Sequence, residues 1–208
     1  MRYAWFGDHV RDFSGVVVWL DPASGRATGV IPTRERMLQK DKTFSPHILP
    51  IRVGSTVDFP NFDPIFHSAF SNYNGQVFDV GLYSPGASRS VKFTRPGVVR
   101  VFCNIHAAMS AVIVVLNTPN FDTTRKDGSF EIPGVPPGDY WLRVFHERAT
   151  QGVLSEAARR VSVAEGPTTL NLVSISESGY LAIPHANKYG RDYSSEPEER
   201  GGYAAPRK

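Results

Sequence analysis

The chain has 208 residues, enough for one large or two small domains. Its 23 Lys and Arg stand against 20 Asp and Glu, a net charge of +3 with the signs interleaved, so it lacks the basic stripe of a nucleic-acid binder. No apolar run approaches the roughly 18 residues that a membrane-spanning helix needs, and the single cysteine, Cys103, excludes an intramolecular disulfide framework.

Gly (18) and Pro (16) are frequent, as are Val, Phe and Tyr, a mix that favours short strands and tight turns. The expectation is an all-β chain. The N-terminal stretch Met1 to His9 has no apolar signal-peptide core. Either a signal was removed, or the true start lies further upstream, or the protein is cytosolic. Residues 15–21 read as a strand buried on both faces, closed by the turn signals Asp21-Pro22 and Ser24-Gly25. Residues 33–47 are polar and read as a loop with a short helix. Residues 51–53 and 57–59 flank Gly54-Ser55, either as one kinked strand or as a tight hairpin.

Residues 77–82, 90–94, 98–102 and 111–116 read as further strands, with Val91 and Phe93 inward and Lys92 outward. Between the last two lies Cys103-Asn104-Ile105-His106-Ala107-Ala108-Met109, a loop held at both ends by adjacent strands. Asn117-Thr118-Pro119-Asn120 breaks the pattern and suggests a boundary. Beyond it, residues 129–132, 139–147, 161–163 and 170–173 read as strands of a small β-sandwich. Tyr140, Leu142 and Val144 share one face of the longest; Trp141, Arg143 and Phe145 share the other, and both faces look packed. From about Glu177 periodicity fades, and 176–208 reads as an extended or disordered tail carrying Tyr180, Tyr189, Tyr193 and Tyr203.

The chemistry concentrates in the loop. Cys103, His106 and Met109, with His67 upstream, offer one thiolate, two imidazoles and one thioether. That donor set suits copper in a trigonal His2Cys plane with a long axial Met. A lone Cys is otherwise most often a small buried hydrophobe. Zinc is the competing metal, but structural zinc sites usually carry more thiolates. Met109 reads either as the axial ligand or as core. His47, among apolar neighbours, and His146, in the register of Val144, read as structural; His9 and His185 receive no role. Asp58, Asp63, Asp79 and Glu131 form no recognisable acid–base pair. No nucleophile triad, phosphate loop or zinc-protease helix appears, so nothing argues for an enzyme.

Phe102 to Met109, with Val57-Asp58-Phe59-Pro60-Asn61-Phe62-Asp63 and His67 upstream, resembles the cupredoxin family. The Cys-x2-His-x2-Met spacing is most like the short ligand loop of amicyanin. The resemblance spans residues 12–118 and implies a Greek-key cupredoxin β-sandwich. Residues 119–175, through Asp127-Gly128-Ser129-Phe130-Glu131-Ile132-Pro133-Gly134-Val135-Pro136-Pro137-Gly138-Asp139-Tyr140, resemble a carboxypeptidase-regulatory-like, transthyretin-like module. The tandem resembles exported bacterial proteins labelled methylamine-utilisation or plastocyanin-like. It implies a type 1 copper protein holding one Cu(I)/Cu(II) ion through His67, Cys103, His106 and Met109. Such a protein is expected in the periplasm or at the cell surface, and would pass electrons to a redox protein such as a cytochrome. His106, flanked by Ala107 and Ala108, is expected to be the more exposed imidazole. The alternative is a copper-binding or structural subunit that never cycles, contacting an assembly through the second domain and tail. One departure stands out: Ser68 follows His67 where the family often carries Asn, which leaves the hydrogen bonding behind that ligand open.

Overall fold

The computed structural model describes residues 12–72, 75–181 and 185–193. In chain order the strands are β1 (Val17–Pro22), β2 (Arg34–Arg36), β3 (Leu38–Lys40), β4 (Thr43–Ser45), β5 (Ile48–Arg52), β6 (Thr56–Pro60) and β7 (His67–Ser71). They continue as β8 (Phe78–Tyr83), β9 (Ser88–Lys92), β10 (Gly97–Phe102), β11 (Ser110–Leu116), β12 (Phe121–Thr123) and β13 (Gly138–Phe145). A short helix, α1 (Gln151–Ala157), precedes β14 (Arg159–Val163). Among the described residues the fold is all-β apart from that one helix, and no helix there is long and apolar enough to cross a membrane.

Three layers stack on one another. A five-stranded sheet, β5-β11-β10-β7-β8, faces the smaller sheet β2-β6-β9 across the main core. That core holds Met37, Phe59, Tyr83, Phe93, Val101 and Ile113 together with Cys103 and Met109. Strand β11 explains how the third layer attaches. Its sequence is a β-branched run without polar alternation, as expected of a strand covered on both sides. Ala111, Ile113 and Val115 enter the main core, while Val112, Val114 and Leu116 pack against Val17 and Phe145 of the sheet β12-β1-β13-β14. Each such Val, Ile or Leu contributes roughly 1.5–3 kcal/mol by burial. A charge at Val114 would therefore split the layers.

Strand β1 is the expected strand covered on both faces, but its partners went unforeseen. It precedes the ligand-bearing strands in the chain, yet it pairs antiparallel with both β12 and β13. Alternation is the reason: Val17 and Trp19 point to β11, whereas Val18 and Leu20 join Tyr140, Leu142 and Val144 in a third core. The break at 117–120 brings the chain back beside this strand. The Thr118 hydroxyl donates to the Leu20 carbonyl at 2.8 Å, and the Leu20 N–H donates to the Asn120 carbonyl at 2.9 Å.

Other expectations also shift. Residues 33–47 form three short strands and no helix; β2 pairs in parallel with β6, and Arg34 grips Asp58 through two 2.7 Å bonds. The segments around Gly54 are no hairpin, because β5 lies beside β11 and β6 beside β9, so the chain changes layers at Gly54 (φ +87°). Residues 129–132 form no strand. Their donors go to side chains instead: Ser129 N–H to Asp127 and Glu131 N–H to Asp122. Residues 170–173 form none either, since Arg159 captures the carbonyls of Asn171 and Leu172, and Leu172 is 88% exposed. On the outer face of β13, Phe145 is buried but Trp141 and Arg143 are exposed. Helix α1 went unforeseen; it starts where the Thr150 hydroxyl accepts the Val153 N–H.

Candidate metal centre

The site lies at one end of the five-stranded sheet, where neighbouring strands end together. Strand β10 runs out at Phe102, the chain makes the loop 103–109, and β11 begins at Ser110, paired back to Phe102. On the other side of β10, Phe70 of β7 is opposite Phe102. Continuing that antiparallel register places Ser68 opposite Asn104 and His67 beside the loop. The loop is tied internally: Cys103 N–H donates to the Met109 carbonyl (3.1 Å), and Met109 N–H to the His106 carbonyl (3.0 Å).

Two imidazoles and the thiol converge there. Cys103 Sγ is 3.8 Å from His67 Nδ1 and 3.5 Å from His106 Nδ1, and one ligand atom from each residue falls within a 4.8 Å set. The two rings are 4.7 Å apart at 57°. Thiolate and imidazole bonds of about 2.3 and 2.0 Å to one ion, meeting at a tetrahedral to trigonal angle, would separate S and N by about 3.5–3.7 Å. The observed spacings fit such an ion without rearrangement. Met109 is 1% exposed and belongs to the same core as Cys103.

The groups behind the ligands fix their protonation. The Asp63 carboxylate accepts the His67 Nε2–H at 2.7 Å, leaving Nδ1 to face the sulfur. Asp63 is itself held by the N–H groups of Asp41 (2.6 Å) and Lys42 (2.9 Å). Burial alone would raise the Asp63 pKa, but these donors outweigh it and hold the carboxyl below its ordinary value. The Cys103 thiol follows the same balance. Burial pushes it up, while His106, the Ile105 N–H and both the backbone and hydroxyl of Ser68 more than compensate, so its pKa lies below the usual thiol value. Ser68 thereby closes the question its identity raised: its hydroxyl accepts the Asn104 N–H at 2.8 Å and lies 3.7 Å from Cys103 Sγ.

Of the residues singled out in the sequence, His67, Cys103 and His106 come together and Met109 is buried among their neighbours. Of the two imidazoles His106 is the more exposed, as expected, at 7% against 0% for His67, though both are buried. His47 is structural, bonding Ser110 O through Nδ1 and Glu147 through Nε2, and His146 lies 3.7 Å from Glu177. His9 lies outside the described residues. Sequence reasoning gave Asp63, Asn104 and His185 no part in the site, and marked Ser68 only as a departure whose effect stayed open. Only Asp63, four residues before His67, and Ser68, directly after it, carried a positional signal.

No family model matches the chain, and no curated protein matches it. Solved structures do. A purple cupredoxin from Nitrosopumilus maritimus is 24% identical over 39% of this chain and 99% of its own, with a TM-score of 0.36. A copper-containing nitrite reductase from Thermus scotoductus SA-01 is 27% identical over 46% of this chain, with a TM-score of 0.39. The match takes in only 25% of the reductase chain. An oxidized amicyanin variant is 19% identical over 47% of this chain and 92% of its own, with a TM-score of 0.37.

Proposed function

We propose that this chain would bind one copper ion through His67, Cys103 and His106, with Met109 as a weak thioether donor, and would pass single electrons to and from a redox protein such as a cytochrome. The observation that carries the proposal is the buried convergence of two Nδ1 atoms on one thiol whose pKa is already lowered. A bound copper would supply a reversible one-electron couple, for which thiolate and imidazole donors suit both oxidation states. The protein's own part is to deprotonate Cys103, present both Nδ1 atoms, and exclude water with the Phe59, Phe93 and Ile113 core. One thiolate with a buried Met beside it favours copper over structural zinc.

Export follows from the same chemistry, since a copper thiolate is easiest to keep outside the thiol-rich cytosol. The proposal therefore places the protein in the periplasm or at the cell surface and gives it no catalytic role. The layer β12-β1-β13-β14 is taken as a carboxypeptidase-regulatory-like platform for contacts with an assembly. A second reading, copper held without cycling, draws support from the burial of His106.

Reduction and reoxidation of the copper-loaded protein over several cycles, with metal content measured after each, decides between the two. Retained copper and a reversible couple support electron transfer. Copper lost on reduction supports the holding role.

A further inference from the structure

Residues 185–193 contain no helix or strand, yet their bonds go to one place. The His185 ring stacks on Phe102 at 4.0 Å and 27°, and its Nε2–H donates to the Ala107 carbonyl at 2.7 Å. Lys188 donates its N–H to Asn104 Oδ1 at 3.0 Å, and its ammonium pairs with Asp79 of β8 at 2.7 Å. The Tyr193 hydroxyl donates to the Cys103 carbonyl at 2.6 Å, and the Tyr193 ring meets His185 edge-on at 5.2 Å. The ligand loop uses its inward groups on the fold, through Cys103 N–H, Asn104 N–H and Met109 N–H. Three more of its polar groups, the Cys103 carbonyl, the Asn104 side chain and the Ala107 carbonyl, are each taken by one residue of this segment. His106 sits inside the spanned stretch and is buried.

We propose that His185, Lys188 and Tyr193 are positioning residues of the metal centre. Segment 185–193 is a clamp across the loop that fixes the backbone at Cys103 and Ala107, on either side of His106, and closes the thiol from solvent before any metal arrives. The inference rests on the copper reading only for the roles of the ligands; the clamp itself is a property of the metal-free protein. It also gives the tail a place: a partner approaching this end of the sheet meets the clamp rather than a bare imidazole.

The test is the rate at which an aromatic disulfide reagent modifies Cys103 in the full-length, metal-free protein. Breaking the clamp with Tyr193→Phe, or with His185→Ala, removes a hydrogen bond and, for the latter, a ring stack. Each should speed modification by about tenfold, with one cooperative urea transition retained, so that the thiol is reached by local opening and not by unfolding. Rates within about twofold of wild type in both variants overturn the clamp. A measurement on the wild type alone guards against misfolded variants: the Lys188 amide should be protected from hydrogen exchange, and exchange at the free-peptide rate overturns the proposal equally. A third arm separates the clamp from the metal reading. Transfer of Cu(I) to a strong chelator should be faster in both variants. A wild type that takes up no copper refutes the proposed function while leaving the thiol result standing.

Discussion

Asp63→Asn is the most informative single change near the site. In the native protein one carboxylate accepts three donors: His67 Nε2–H at 2.7 Å, Asp41 N–H at 2.6 Å and Lys42 N–H at 2.9 Å. An amide offers one acceptor oxygen and turns an NH2 toward at least one of these donors. Asp41 and Lys42 are exposed enough for their N–H groups to find water, at about 0.5–1 kcal/mol each. His67 is 0% exposed and has no such recourse, so an orphaned Nε2–H there costs about 1–3 kcal/mol. His67 Nε2–H and Lys42 N–H share one carboxylate oxygen, Oδ2, so an amide oxygen placed there keeps both at reduced strength and loses Asp41. The expected loss is about 1–3 kcal/mol, the upper end applying where the NH2 faces His67, against a typical 5–15 kcal/mol domain stability. The ring can avoid the clash by moving its proton to Nδ1, but that is the nitrogen facing Cys103. Either way metal affinity should fall by about 10–100-fold. Urea unfolding of the metal-free protein measures the first effect, and competition with a chelator measures the second. A variant within about 0.5 kcal/mol and twofold in affinity would refute the role given to Asp63.

Three further outcomes are expected. Ser68→Ala should cost about 1 kcal/mol by orphaning the Asn104 N–H, and should raise the Cys103 pKa, read by ultraviolet titration of the thiolate; an unmoved thiol would remove Ser68 from the site. Lys42→Gly should stabilise the protein by about 0.5–1 kcal/mol in urea unfolding, since Asp41 and Lys42 both sit at left-handed φ (53° and 54°) in the two-residue β3–β4 turn; a loss of stability would mean that the lysine stem matters more than the backbone. The Glu147 carboxylate, bonded to His47, raises the His47 pKa above 6.5, and the same bond, with Arg100 nearby, lowers Glu147 below 4.5. Their contribution is present in full between about pH 4.5 and 6.5. It is lost as pH falls through the Glu147 value or rises through that of His47. Both groups are partly exposed, so the effect is at most about 1 kcal/mol. His47→Gln should therefore destabilise more at pH 5.5 than at pH 9, and equal losses at both would contradict the pairing.

The candidate ligand set was legible because it is local. Three of its four residues lie in seven positions between two strongly patterned strands, and strand ends fix such loops. Strands β8, β10 and β11 of the main sheet, and β9 of the smaller one, were legible for the same reason, whereas β7, which begins at His67, was not read as a strand. What stayed hidden depends on distant pairing. Nothing in Val17–Pro22 says that its partners lie beyond residue 120, because a strand covered on both faces fits any interior position. The false strands at 129–132 and 170–173 have strand-like residues whose backbone groups are taken by Asp127, Asp122 and Arg159. His185 and Tyr193 gave no signal, since their bonds are to carbonyls of Ala107 and Cys103, which every residue possesses.

The central claim, a copper–thiolate centre at His67, Cys103 and His106, is tested most directly by one visible absorption spectrum of the protein loaded with one equivalent of Cu(II), set beside that of Cys103→Ser. Intense thiolate-to-copper charge-transfer absorption in the wild type, absent from the variant, is the predicted result. A wild type that binds copper stoichiometrically yet stays colourless would contradict it.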